Sequence, residues 1–125
     1  MGIIRSPFLF SNPTRPDLAP LTIPALVDTG SVHLCLPESV AQALHLQQLE
    51  LRSVRLADGR WIKAPYCGPV EVRFANRRCF TGAMVIGDEP LVGAIPMEDM
   101  DLIAIPGRHT VDVHPASPDI ARSRA

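Results

Sequence analysis

Apolar positions along this chain come in short runs, and the runs alternate with polar residues more often than they recur at helical spacing. The clearest stretch is Val70-Glu71-Val72-Arg73-Phe74, where the two kinds take turns as in a strand with one buried face. Residues 3–10 predict a first strand, and Pro7 points to an edge position because proline has no N–H to give a sheet. Ser11 to Pro20 reads as a loop, and residues 21–27 as a returning strand that delivers Asp28 at its end. Val32-His33-Leu34-Cys35-Leu36 is a third, short strand. Pro37 then opens the best helix, Glu38 to Leu46, with Val40, Ala43, Leu44 and Leu46 giving one apolar side.

Beyond the helix, Val54–Ala57 and Arg60–Lys63 flank Asp58-Gly59, a hairpin signal because both turn positions tolerate positive φ. Ala75–Arg78 turns Val70–Phe74 into Cys79–Ile86. Leu91-Val92-Gly93 follows, then a short helical segment from Pro96 to Met100. Leu102–Ile105 and Thr110–Val113 predict two more strands around Pro106-Gly107-Arg108. The 13 prolines favour strands and loops over long helices. The pattern predicts one domain over residues 1–114 and a loose, flexible tail over 115–125.

Composition narrows the partners. Apolar residues are 46% and charged residues 20% of 125, an ordinary globular balance. A net charge of −1 gives no basis for a nucleic-acid partner, and Arg77-Arg78 is too short to change that. No apolar run has membrane-spanning length, and the N-terminus lacks the pattern of a signal peptide. Cys35, Cys67 and Cys79 form an odd set without zinc spacing. They read as reduced thiols, which favours a cytoplasmic location. His33, His45, His109 and His114 lack ligand spacing, so neither a metal nor another cofactor is expected. Glu98, Asp99 and Asp101 read as a solvated helix end.

The candidate chemistry lies at Asp28-Thr29-Gly30, the chain's one Asp-Thr-Gly. In the established aspartic-protease arrangement, two carboxylates about 3 Å apart share one proton and hold a water between them. Such a pair titrates as a unit. Asp58, Asp88 and Asp112 have no Thr-Gly after them and offer no internal partner, so the second carboxylate has to come from a second copy. Gly30 permits a tight turn and close approach of a neighbouring chain. Thr29 offers a hydroxyl across a two-fold axis. Ser31 offers one toward Asp28 or a substrate backbone. Taken alone, the tripeptide reads better as a surface turn, which Asp, Thr and Gly all suit.

Its surroundings favour the first reading. The run Ala25-Leu26-Val27-Asp28-Thr29-Gly30-Ser31 resembles the active-site motif of retropepsin-like (clan AA) aspartic proteases. Leu91-Val92-Gly93 resembles that family's second landmark, two apolar residues and a glycine before a short helix. The hairpin at Asp58-Gly59 stands between the landmarks, where the family carries its flap. The stretch from Leu91 to Leu102 is similar to a prokaryotic, single-domain branch.

The resemblance implies an all-β fold, a closed barrel of the acid-protease type with one or two short helices. It implies a homodimeric endopeptidase acting on a peptide or protein. Asp28, Thr29 and Gly30 are then catalytic. Ser31, Leu56, Asp58, Gly59, Arg60 and Trp61 contact substrate or form the flap, with Trp61 either lining a side-chain pocket or packing the hairpin. Leu91, Val92 and Gly93 support the site. Ser31 stands where viral members commonly have Ala, and the flap tip is charged and less Gly-rich than theirs. A non-catalytic dimerisation or peptide-binding module of the same fold is the alternative. A barrel with an unrelated structural role is a third reading.

Overall fold

A computed structural model describes residues 3–125; the first two residues of the predicted domain lie outside the described residues. Among the described residues, nine strands and two short helices follow one another. They are β1 (Ile4–Ser11), β2 (Leu21–Val27), β3 (Leu34–Leu36), α1 (Glu38–Ala43), β4 (Gln47–Arg55) and β5 (Trp61–Phe74). Then come β6 (Arg77–Val85), β7 (Leu91–Val92), α2 (Ala94–Asp99), β8 (Leu102–Ile105), a 3-10 turn at Pro106–Arg108 and β9 (Thr110–Val113).

Six strands close into a barrel in the order β1-β2-β7-β3-β6-β5, and β5 returns to β1 through Leu9↔Arg73, Phe10↔Val72 and Ser11↔Glu71. The expected all-β class, with a closed barrel and two short helices, is therefore present. Alternation fills the interior. In β1, Ile4, Ser6, Phe8 and Phe10 point inward while Arg5 and Pro7 face out. Phe8, Phe10, Leu34, Leu36, Val70, Val72 and Val92 form one contiguous core with Met97 and Met100 from α2 and its end. The Phe8 and Phe74 rings meet with centroids 5.2 Å apart. Pro7 faces Pro24, so two residues without an N–H share one rung. The expected edge position holds at Pro7 but not at Leu9–Ser11, where β5 covers β1.

Several boundaries differ from expectation. Helix α1 stops at Ala43, because His45 adopts a φ of 53° and turns the chain into β4. Strand β4 starts at Gln47 instead of near Val54, and its first five residues are exposed. It pairs only with β5, outside the barrel, so neither of its faces needs an apolar row. Strand β5 is one continuous strand instead of two, with a shift in its pairing to β6 between Cys67 and Val70 that absorbs Gly68-Pro69. Helix α2 begins at Ala94, capped by Gly93, two residues ahead of Pro96.

β8 and β9 pair with each other as a separate two-stranded sheet, with the bounds expected. From His114 on, the chain has no regular secondary structure, and it lies against the barrel. Asn76 Nδ2 donates to the Pro118 carbonyl at 2.9 Å, and the buried Arg77 donates to the carbonyl and hydroxyl oxygens of Ser117. Among the described residues no helix is long and apolar enough to cross a membrane.

Candidate functional site

Strands β2 and β3 are consecutive in sequence but not neighbours in the sheet. β7 lies between them, parallel to β2 and antiparallel to β3. The loop from Asp28 to His33 must therefore arch over the end of β7, where Gly93 sits. The loop is fastened on both flanks. Asp28 N–H donates to the Val92 carbonyl at 3.1 Å and Leu26 N–H to that of Pro90 at 2.9 Å. On the far side, Ala94 and Ile95 donate to the carbonyls of Ser31 and Val32 at 2.8 and 2.9 Å. A Cβ on Gly93 would stand 2.5 Å from the His33 carbonyl oxygen and 2.7 Å from that of Ser31. Only glycine allows the loop to come so close.

Within the loop, Asp28 Oδ1 accepts the Gly30 N–H at 3.0 Å, and Ser31 N–H closes onto the Asp28 carbonyl at 3.1 Å. This Asx-type turn holds one carboxylate oxygen and leaves the side chain exposed. A Cβ on Gly30 would press on Oδ1 at 3.1 Å. Thr29 and Gly30 are also exposed and Ser31 is half-buried. The structure thus gathers Asp28, Thr29, Gly30, Ser31, Leu91, Val92 and Gly93 into one hydrogen-bonded unit. One chain presents one carboxylate there, enough to accept or give a single proton.

The hairpin residues form a second group. β4 and β5 leave the barrel together, because β6 pairs with β5 only from Tyr66 onward. At the tip, Leu56 and Arg60 close the turn, and Gly59 takes a φ of 90°. Arg60 donates from its N–H to Asp58 Oδ1 at 2.9 Å and from Nε to Oδ2 at 2.7 Å. The backbone N–H and guanidinium of Arg60 hold the Asp58 carboxyl below its usual range. Asp58 and Arg60 are thus engaged within the turn itself.

Register decides which side chains face the same way. Arg55↔Trp61 is one rung and Val54↔Ile62 the next, so Trp61 lies on one face and Val54, Ile62, Arg52 and Tyr66 on the other. Trp61 is 66% exposed with Arg55 above its ring. Tyr66 instead meets His33, which follows the Asp28 loop, with ring centroids 6.2 Å apart at 69°. The face nearer the loop is the one without Trp61.

Arg52 and Tyr66 were not singled out from the sequence, and His33 was considered there only as a metal ligand and set aside. The Arg52 guanidinium lies over the Tyr66 ring, 3.8 Å from its centroid, and is ion-paired with Glu50. Burial, and then Arg52, push the His33 pKa down. No local pattern marks these residues, since the contact joins three separate segments. The three cysteines are free. Burial, helped by the Asp99 charge, pushes the Cys79 thiol up to about 12. Among the described residues no group of three or more His, Cys, Asp and Glu is arranged to hold a metal. Comparison with protein-family models, curated proteins and solved structures finds no significant match.

Proposed function

We propose that this chain is a homodimeric aspartic endopeptidase of the retropepsin-like type, with one Asp28 from each subunit. The observation that carries the reading is the arch over Gly93, which presents the exposed carboxylate of the chain's one Asp-Thr-Gly on a rigid hydrogen-bonded support. A single carboxylate is half of the machinery, and the apolar surface beside it favours a second copy as the source of the rest. Val32, Ile95 and Phe80 are exposed. Val32 and Ile95 are hydrogen-bonded neighbours at the end of the loop, and Ile95 and Phe80 line one depression.

In the dimer, the two Asp28 carboxylates face each other across the two-fold axis with a water between them. The ionised one takes a proton from the water as its oxygen attacks the peptide carbonyl carbon. The protonated one gives its proton to the carbonyl oxygen. Collapse of the tetrahedral diol breaks the C–N bond, with a proton passing to the departing amine. The β4–β5 hairpin acts as the flap. An extended substrate lies beneath it, bound by main-chain hydrogen bonds and selected by alternate side chains.

Asp28→Asn is expected to abolish cleavage of an unfolded peptide library while sedimentation still shows a dimer. Cleavage at the native rate by that variant removes Asp28 from the chemistry. Peptide binding by the native chain without cleavage at acidic or neutral pH replaces the protease reading with that of a peptide-binding module.

A further inference from the structure

We infer that Tyr66 is a positioning residue that sets the height of the β4–β5 hairpin over the Asp28 loop, an assignment that builds on the reading of this hairpin as a flap. Tyr66 occupies the point where the hairpin leaves the barrel. It is paired with Glu50 of β4 on one side and Met84 of β6 on the other, whereas Trp61–Pro65 have β4 alone as a partner. Any swing of the hairpin therefore begins at this residue.

Its ring gathers the parts that such a swing would separate. The outer end of the ring rests on Gly82 of β6, in the space where a Cβ would stand. The barrel wall thus has a notch, and the ring fills it. The Arg52 guanidinium of β4 lies over the ring, 3.8 Å from its centroid, and is ion-paired with Glu50. His33 meets the ring edge-on from the segment that continues the Asp28 loop. Cation–π and edge-to-face contacts both depend on angle as well as distance. One ring thereby ties both hairpin strands to the wall and to the loop. Without the notch at Gly82 the ring cannot lie where Arg52 and His33 reach it.

The test uses the full chain in four variants: Tyr66→Phe, Tyr66→Ala, Gly82→Ala and the double Gly82→Ala/Tyr66→Ala. Trp61 is the chain's one tryptophan and sits on the hairpin, so its fluorescence anisotropy decay and acrylamide quenching report hairpin motion without any need for turnover. Tyr66→Phe keeps the ring and is expected to match the native chain. Tyr66→Ala is expected to speed the depolarisation of Trp61. On a cleaved peptide it should lower kcat/KM by roughly 10²-fold, the usual consequence of a 1 Å misplacement. Most of that loss should lie in KM, because the hairpin holds substrate and does not react. Gly82→Ala evicts the ring and should reproduce these changes, with no further loss in the double variant.

An unchanged Trp61 decay in Tyr66→Ala overturns the assignment, as does simple addition of the two single effects in the double variant. Should Gly82→Ala not fold, the contrast between Tyr66→Phe and Tyr66→Ala decides alone. If the native chain cleaves nothing, the protease reading falls, while the Trp61 measurement still decides the role of Tyr66.

Discussion

Gly93→Ala is the sharpest single perturbation of this molecule. The new methyl would stand 2.5 Å from the His33 carbonyl oxygen, 2.7 Å from that of Ser31 and 2.9 Å from the Val32 carbonyl carbon. Carbon–oxygen contacts normally begin near 3.3 Å, so the loop must retreat by about 0.8 Å. All three obstacles are backbone atoms, and no rotamer change relieves them. Overpacking of this kind costs about 1–3 kcal/mol. The retreat also strains the bonds from Ala94 to Ser31 and from Ile95 to Val32. Each contributes about 0.5–1.5 kcal/mol. The expected loss is therefore about 2–6 kcal/mol, a large share of the 5–15 kcal/mol typical of a folded domain. For a chain of this size it corresponds to a fall in Tm of roughly 8–24 °C.

Urea unfolding should show a lower midpoint with an unchanged slope, since the surface exposed on unfolding is the same. Gly107→Ala is the control, because a Cβ there meets nothing within 4 Å. It should stay within about 0.5 kcal/mol of the native chain. If Gly93→Ala loses no more stability than Gly107→Ala, the loop is not arched over Gly93 as described.

Two further outcomes follow from charge. The Cys79 thiol titrates at about 12 in the folded chain, above its unfolded value near 9. Between those values the unfolded state has shed a proton that the folded state keeps. Stability is thus fully present below pH 9 and declines above it, by up to about 1.4 kcal/mol per pH unit. Urea midpoints from pH 8 to 11 should fall in the native chain and fall less steeply in Cys79→Ala, where the raised Cys35 and Cys67 thiols remain; an equally steep fall in both refutes the assignment. Asp101 accepts hydrogen bonds from the Ser117 hydroxyl and the Arg122 N–H, and these hold its carboxyl below the ordinary range. The anchorage is present above the unfolded carboxylate value and is lost as pH falls through the folded one. Asp101→Asn should deprotect the amides of residues 114–122 in hydrogen exchange at neutral pH, and unchanged protection there counts against the anchor.

Strands whose one face is buried could be read from the chain. β2, β8 and β9 have the bounds that alternation and turn residues indicate, because each contributes a clean apolar row or is bracketed by Pro and Gly. The first half of β4 was illegible for a physical reason: it hangs outside the barrel, where Gln47, Gln48 and Glu50 need no apolar partners. Continuity of β5 was hidden by Pro65 and Gly68-Pro69, which look like breakers until the shifted register accommodates them. At the site, Asp28-Thr29-Gly30 and Leu91-Val92-Gly93 were visible as words, and the crossing of β7 between β2 and β3 explains why both are needed. The Tyr66 junction was not visible, since Gly82, Arg52 and His33 come together only in three dimensions. Arg77, placed in a turn by the sequence, instead begins β6, where it is buried and holds Ser117.

The barrel is sealed by three rungs between the first strand and the far end of the longest one. During synthesis, Phe8 and Phe10 emerge from the ribosome early, yet their permanent cover waits until Val70–Phe74 have followed. Contacts so distant in sequence slow folding and leave greasy surface unprotected in the meantime. A nascent chain halted before Arg73 is thus the form most in need of a chaperone, and the most prone to clump.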